Sequence, residues 1–158
     1  MVLEGREILP GQTGHEAGRR LLTQMYLKHT GTPMPRILLT ARGKPCFEEG
    51  GVHFSITHTP RHVFCVLAEH PVGIDAEELS RQLKPGLADK ILSPAERVQY
   101  EGAADKNRAL LTFWVLKEAA AKCSGEGLRG YPVHTDFSLN DPRVQEIEGC
   151  LVAVLEDK

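Results

Sequence analysis

Asp75 and Glu77 stand two residues apart in Val72-Gly73-Ile74-Asp75-Ala76-Glu77, an apolar run after Pro71 that reads as a strand. Side chains alternate along a strand, so both carboxylates emerge on one face, within reach of a single ion. Glu118 and Lys122 are four apart in Trp114-Val115-Leu116-Lys117-Glu118-Ala119-Ala120-Ala121-Lys122, so on a helix a carboxylate and an ammonium share a face. Taken singly, the second pair describes a solvated i,i+4 ion pair worth about a few tenths of a kcal/mol, and Asp-x-Glu at a strand end describes a turn or cap. Taken together, three hard oxygen donors beside a lysine suit Mg²⁺ holding a pyrophosphate. That ion takes few protein oxygens and completes its octahedron with phosphate oxygens and water.

Other chemistries are poorly supported. There is no G-x-x-x-x-G-K-[ST] and no G-x-G-x-x-G, and Gly125-Glu126-Gly127 reads only as a helix stop. His53, His58, His62 and His70 surround Cys65, but their spacing is irregular and alternation puts His53 and Phe54 on opposite faces, which argues against zinc. Cys46, Cys65, Cys123 and Cys150 form no C-x-x-C pair and read as buried thiols. Trp114, among Leu110, Leu111, Phe113 and Leu116, is expected in the core.

The chain has 158 residues and a formal charge of −2, from 19 Lys+Arg and 21 Asp+Glu. This balance argues against a general polyanion or nucleic-acid binder. The apolar runs are too short for a bilayer, and Met-Val-Leu-Glu-Gly-Arg-Glu is no signal peptide, so a soluble, cytoplasmic chain of one domain is expected. The balance is uneven along the chain. Residues 1–45 carry a net +4 and residues 46–158 a net −6, the split expected of a basic edge beside an acidic site for an anion held partly by metal.

The elements that must position these groups are legible. Residues 1–13 read as a short strand or extended lead-in ending at Pro10-Gly11. Ala17, Leu21, Leu22, Met25 and Tyr26 recur at three- and four-residue intervals, predicting a helix over His15–His29 stopped by Gly31 and Pro33. Ile37-Leu38-Leu39 is a short strand, and Arg42-Gly43-Lys44-Pro45 a turn. Val52–Thr57 and Val63–Ala68 read as a hairpin joined by His58-Thr59-Pro60-Arg61. Ser93-Pro94-Ala95-Glu96 has the order of a capping box, which explains Glu96. A long helix spans Asp105–Cys123, and Phe137 and Cys150–Leu155 read as closing strands. Helices and antiparallel strands fall in separate blocks, so the class is α+β, and no internal repeat is visible.

Four segments in this order carry a resemblance: Gly43-Lys44-Pro45, Phe54-Ser55-Ile56-Thr57-His58-Thr59, Val72–Glu77 and Phe113–Lys122. They resemble the 4′-phosphopantetheinyl transferases of the surfactin-synthetase-activating type, whose two signatures are a G-[IV]-D-x-E strand and a W-x-x-K-E-A-x-x-K helix. The resemblance runs from about His15 to the C-terminus. It implies that family's fold: two small sheet-plus-helix halves in a single domain over 1–158. Residues 1–70 would lie on the coenzyme A 3′-phosphate side and residues 71–158 would form the metal-binding catalytic half.

The activity implied is that of a holo-[acyl-carrier-protein] synthase type of enzyme, transferring phosphopantetheine from coenzyme A to a serine of an apo carrier protein and releasing adenosine 3′,5′-bisphosphate. By position, Asp75 and Glu118 would bind Mg²⁺ directly, with Glu77 the third ligand, direct or through water. Glu118 would also serve to deprotonate the serine, directly or through water. Lys122 matches the lysine that pairs with coenzyme A phosphate. Lys44 and His58 match groups at its 3′-phosphate and adenosine end, with Thr57 where serine is commoner. Arg20 fits a phosphate-contacting position loosely, its alternative being a helix-surface arginine.

Only 44 residues precede Pro45, short for a first half, so a truncated N-terminal half lacking a leading strand and covering helices is expected. Such a chain would act either as a monomer or as a small homo-oligomer whose protomers cover exposed surface. The carrier would come from fatty-acid, polyketide or peptide synthesis, and the basic N-terminal segment would serve either carrier docking or the coenzyme A phosphates. Two other readings stay open: a non-catalytic coenzyme A or carrier-binding module derived from such an enzyme, and a metal-dependent phosphoesterase.

Overall fold

The computed structural model describes residues 1–127 and 135–158. Chain order runs β1 (Val2–Glu7), α1 (Gly14–Thr30), β2 (Ile37–Leu39), β3 (Pro45–Phe47), β4 (His53–His58), β5 (His62–Ala68) and β6 (Val72–Glu78). It continues through α2 (Leu87–Ile91), α3 (Pro94–Gly102), α4 (Lys106–Ser124), β7 (Val144–Ile147) and β8 (Cys150–Glu156). All described strand pairings are antiparallel. Two three-stranded sheets have the orders β1-β5-β4 and β6-β8-β7, and β2 and β3 form a separate ribbon.

These orders hide a repeat that the residues do not reveal. In each unit a strand is followed by helix and then by a hairpin whose second strand returns to pair with the first: β1, α1, β4–β5, then β6, α2–α4, β7–β8. The units differ in helix number, one against three. The leading strand expected to be missing is present as β1, paired along β5 from Val2 opposite Leu67 to Glu7 opposite His62.

Alternation divides the core. Val63, Cys65 and Leu67 of β5 face Leu21, Leu22 and Met25 of α1. Leu151, Ala153 and Leu155 of β8 face Leu111, Val115 and Ala119 of α4. The residues in between, Phe64 and Val66 with Ile74, Val152 and Val154, meet in a third cluster that joins the sheets. Cys65, Cys123 and Cys150 are buried free thiols and Cys46 is half-buried; burial pushes Cys65 up to about 12. Phe137, expected in a closing strand, is buried but lies outside any strand.

The long helices have clear boundaries. Thr13 and Glu16 form a reciprocal capping box at the start of α1, whose end is Gly31 at φ 74°. Asp105 caps α4, accepting from the Arg108 N–H, and Gly125 ends it at φ 72°. Ser93 and Glu96 form the anticipated capping box of α3. Glu96 does more than that spacing predicts. Fully buried, it lies 2.8 Å from Lys117 Nζ of α4 and accepts from the Phe137 N–H at 3.0 Å. The pair fixes α3 and the 137 segment to the turn of α4 that carries Glu118.

Candidate active site

β6 and α4 meet so closely because of Gly73. A Cβ there would run into the Ala119 carbonyl oxygen and the Cys123 amide nitrogen, so only glycine lets the helix lie on the strand. Ile74, next along, turns into the core between the sheets, which leaves Asp75 and Glu77 on the helix side. On α4, Trp114, Glu118 and Lys122 recur at four-residue steps down one face.

The strand and helix residues meet in pairs. Lys122 Nζ donates to Asp75 Oδ1 at 2.8 Å and to the Ile74 carbonyl at 3.0 Å. Thr57 of β4 donates its hydroxyl to the same Asp75 oxygen at 3.3 Å, and Ser55 Oγ accepts from the Ile74 N–H at 3.1 Å, which stitches β4 to β6. At the other end Glu77 Oε1 accepts from Trp114 Nε1 at 3.1 Å and is paired with the Arg81 guanidinium. Trp114 is thus a correction to the expected core position: it is half-buried, and its indole N–H serves a carboxylate.

Electrostatics set the carboxylates apart from ordinary ones. Burial pushes Asp75 upward against the opposing pull of Lys122. Burial also pushes Glu118 upward, and the neighbouring Asp75 carboxylate adds to it. Asp75 Oδ2 is buried with no hydrogen-bond partner, an arrangement that costs free energy unless something positive or a donor reaches it. Among the described residues, no three His, Cys, Asp or Glu side chains form a ready-made metal cage; Lys122 and Arg81 already occupy Asp75 and Glu77. The donor set nevertheless fits Mg²⁺, which commonly takes one or two protein carboxylates and draws its other ligands from phosphate and water.

Glu118 and Lys122 form one wall of a cleft of about 420 Å³. The first unit brings basic groups to it, Arg19 of α1, Arg42 and Lys44 of the β2–β3 turn and His58 of β4, beside the apolar Phe54 and Ile56 of β4. The His58 ring rests on the start of α1, where a Cβ at Gly14 would collide with it. Lys44 contributes its stem to the cleft while its ammonium, half-buried and lowered by desolvation, donates to the Cys123 carbonyl at 2.6 Å. Arg42 pairs with Glu126 at 2.6 Å across the same gap.

Two expected groups sit elsewhere. Thr57 is buried against Asp75 and does not line the cleft. Arg20 lines a separate groove with Arg6, Leu9 and Gln24, whereas its neighbour Arg19 faces the cleft. One residue along a helix is a rotation of about 100°, enough to send adjacent arginines to different surfaces. Arg19, Arg42, Arg81 and the Trp114–Glu77 bond were not anticipated. The apolar stripe of α1 places both Arg19 and Arg20 off the core face, and no local signal says which of them meets the cleft.

A model of the 4′-phosphopantetheinyl transferase superfamily matches residues 71–153, just over half of the chain. The 4′-phosphopantetheinyl transferase gsp of Aneurinibacillus migulanus is 29% identical over 115 residues, covering 70% of this chain and 48% of its own. The 4′-phosphopantetheinyl transferase Sfp of Bacillus subtilis (strain 168) is 33% identical over 90 residues, 54% of this chain and 39% of its own. The 4′-phosphopantetheinyl transferase psf-1 of Bacillus pumilus is 27% identical over 123 residues, 72% and 52% respectively. The chain spans about half or less of the length of these curated relatives.

Proposed function

The chain belongs to the 4′-phosphopantetheinyl transferase superfamily, and from that premise we propose that it transfers the phosphopantetheine group of coenzyme A to a serine of an apo carrier protein. The serine oxygen forms a bond to the phosphorus nearest pantetheine. The bond from that phosphorus to the bridging oxygen breaks, and adenosine 3′,5′-bisphosphate leaves. The observation that carries the reading is that Lys122, paired with the buried Asp75 carboxylate, forms with Glu118 one wall of a cleft to which the first unit brings Arg19, Arg42, Lys44 and His58. Its volume lies within the ~300–1,000 Å³ usual for small-molecule sites.

In this reading Asp75 and Glu118 would hold Mg²⁺, with Glu77 the third ligand, direct or through water. The cation supplies neutralisation of charge developing on the pyrophosphate oxygens. Glu118 also takes the serine proton, directly or through a water. Lys122 neutralises phosphate beside Asp75. Arg19, Arg42 and His58 receive the 3′-phosphate and adenosine end. Lys44 joins them by releasing the Cys123 carbonyl. The carrier protein would be an acidic helical domain that docks beside this basic edge.

Incubating the chain with coenzyme A, Mg²⁺ and an apo carrier protein, then weighing the carrier by mass spectrometry, tests the proposal. The carrier gains one phosphopantetheine, and the gain disappears with chelator. Coenzyme A binding with no change in carrier mass would instead identify a binding module. Phosphate release from simple esters would identify a phosphoesterase.

A further inference from the structure

Glu77 shares a strand face with Asp75, yet its Oε1 is held by two donors from outside that strand, Trp114 Nε1 at 3.1 Å and the Arg81 guanidinium. Around Trp114 the other large side chains of α4 are buried: Leu111, Phe113, Val115 and Leu116 are each no more than 0% exposed. Trp114 alone of this group is half-buried, because it faces β6 where that strand ends in its carboxylates. The residue is amphipathic in the way such a position needs: the ring covers apolar surface and the N–H reaches the acid.

We propose that Trp114 is a positioning residue for Glu77. Its indole N–H fixes the Glu77 rotamer, Arg81 supplies the counter-charge, and the fixed carboxylate sets the cation affinity of the Asp75–Glu118 pair. Hydrogen-bonded partners of metal-binding carboxylates orient them in this way. The inference rests on the cation site of the proposed transferase reading.

Trp114 is the chain's one tryptophan, so emission excited beyond the absorption of the three tyrosines comes from its indole alone. The whole chain, saturated with coenzyme A, is titrated with Mg²⁺ by fluorescence and by calorimetry. Wild-type emission changes with the half-saturation found by calorimetry, and Glu77→Gln abolishes that change. Trp114→Phe keeps the ring and removes the N–H; calorimetry of the folded variant gives Mg²⁺ binding weakened about tenfold, the lower end of the loss when a ligand's supporting hydrogen bond is removed. Should Trp114→Phe not fold, the wild-type and Glu77→Gln emission titrations decide alone. Unchanged affinity in folded Trp114→Phe, or constant wild-type emission while calorimetry records binding, overturns the role of Trp114 and leaves the cation site standing. A wild-type chain that binds no Mg²⁺ by either method overturns the site, and this inference with it.

Discussion

Lys122 Nζ stands 2.8 Å from Asp75 Oδ1, joining two residues 47 apart in the chain and from the two motifs that carry the family resemblance. The same ammonium holds the Ile74 carbonyl, so the helix is clamped to the strand at the point where the cleft begins. The second Asp75 oxygen is left buried and without a partner. Lys122 and Thr57 therefore compensate one oxygen of a buried carboxylate and leave the other without a hydrogen-bond partner.

The clamp depends on close approach of α4 to β6. Gly73→Ala puts a methyl group against the Ala119 carbonyl oxygen and the Cys123 amide, both backbone atoms that no side-chain rotation can relieve. Overpacking of a tight core costs about 1–3 kcal/mol, and a backbone clash belongs at or beyond the upper end. Thermal melting of Gly73→Ala is expected to fall by several degrees, with coenzyme A binding weakened because Lys122 moves away from Asp75. A variant that melts and binds like wild type would show that α4 is not held by this contact.

Adjacent arginines on α1 separate specific from general charge effects. Arg19 faces the cleft and Arg20 does not. Loss of a charged hydrogen bond of about 1.5 kcal/mol weakens binding about tenfold. Calorimetry is expected to give that loss of coenzyme A affinity for Arg19→Ala and near wild-type affinity for Arg20→Ala. Equal losses would mean that only the total charge of the edge matters.

Those arginines also show where sequence reading stops. The apolar stripe of α1, both strands of the β4–β5 hairpin and the caps of α3 and α4 were legible because local spacing and cap chemistry specify them. The same spacing put Asp75 and Glu77 on one face and Glu118 and Lys122 on another. It could not say which of two neighbouring arginines faces the cleft, since that depends on where α1 lies against β4. The partners of Glu96 and Trp114 come from elements 21 and 37 residues away, in Lys117 and Glu77, and leave no local mark. The short α2 has no side-chain cap and only five residues, so nothing in its composition distinguishes it from a turn. The repeated strand–helix–hairpin order is a property of pairing rather than of residues.

Asp75 also makes stability depend on pH in a defined direction. Burial raises its folded-state pKa above the unfolded value, so the folded chain holds its proton more tightly. Stability from this group is therefore fully present below the unfolded pKa and declines as pH rises through the folded one. Asp75→Asn removes the ionisable group while keeping its shape. At neutral pH, without Mg²⁺, this variant is expected to melt above wild type, with the advantage shrinking as pH falls towards the ordinary carboxylate range. Added Mg²⁺ should raise the wild-type melting temperature and leave that of Asp75→Asn nearly unchanged. A constant difference across pH would remove the buried charge as its cause.

The most direct test compares carrier-protein mass for three proteins under identical conditions: wild type, Asp75→Asn and Glu118→Gln, each with coenzyme A, Mg²⁺ and an apo carrier. Removal of a group that neutralises transition-state charge costs about a hundredfold or more. The wild-type chain is expected to convert the carrier to the phosphopantetheinylated form, and both folded variants to do so at least about a hundredfold more slowly. Wild-type rates in either variant, or an unmodified carrier with the wild-type chain, would contradict the account.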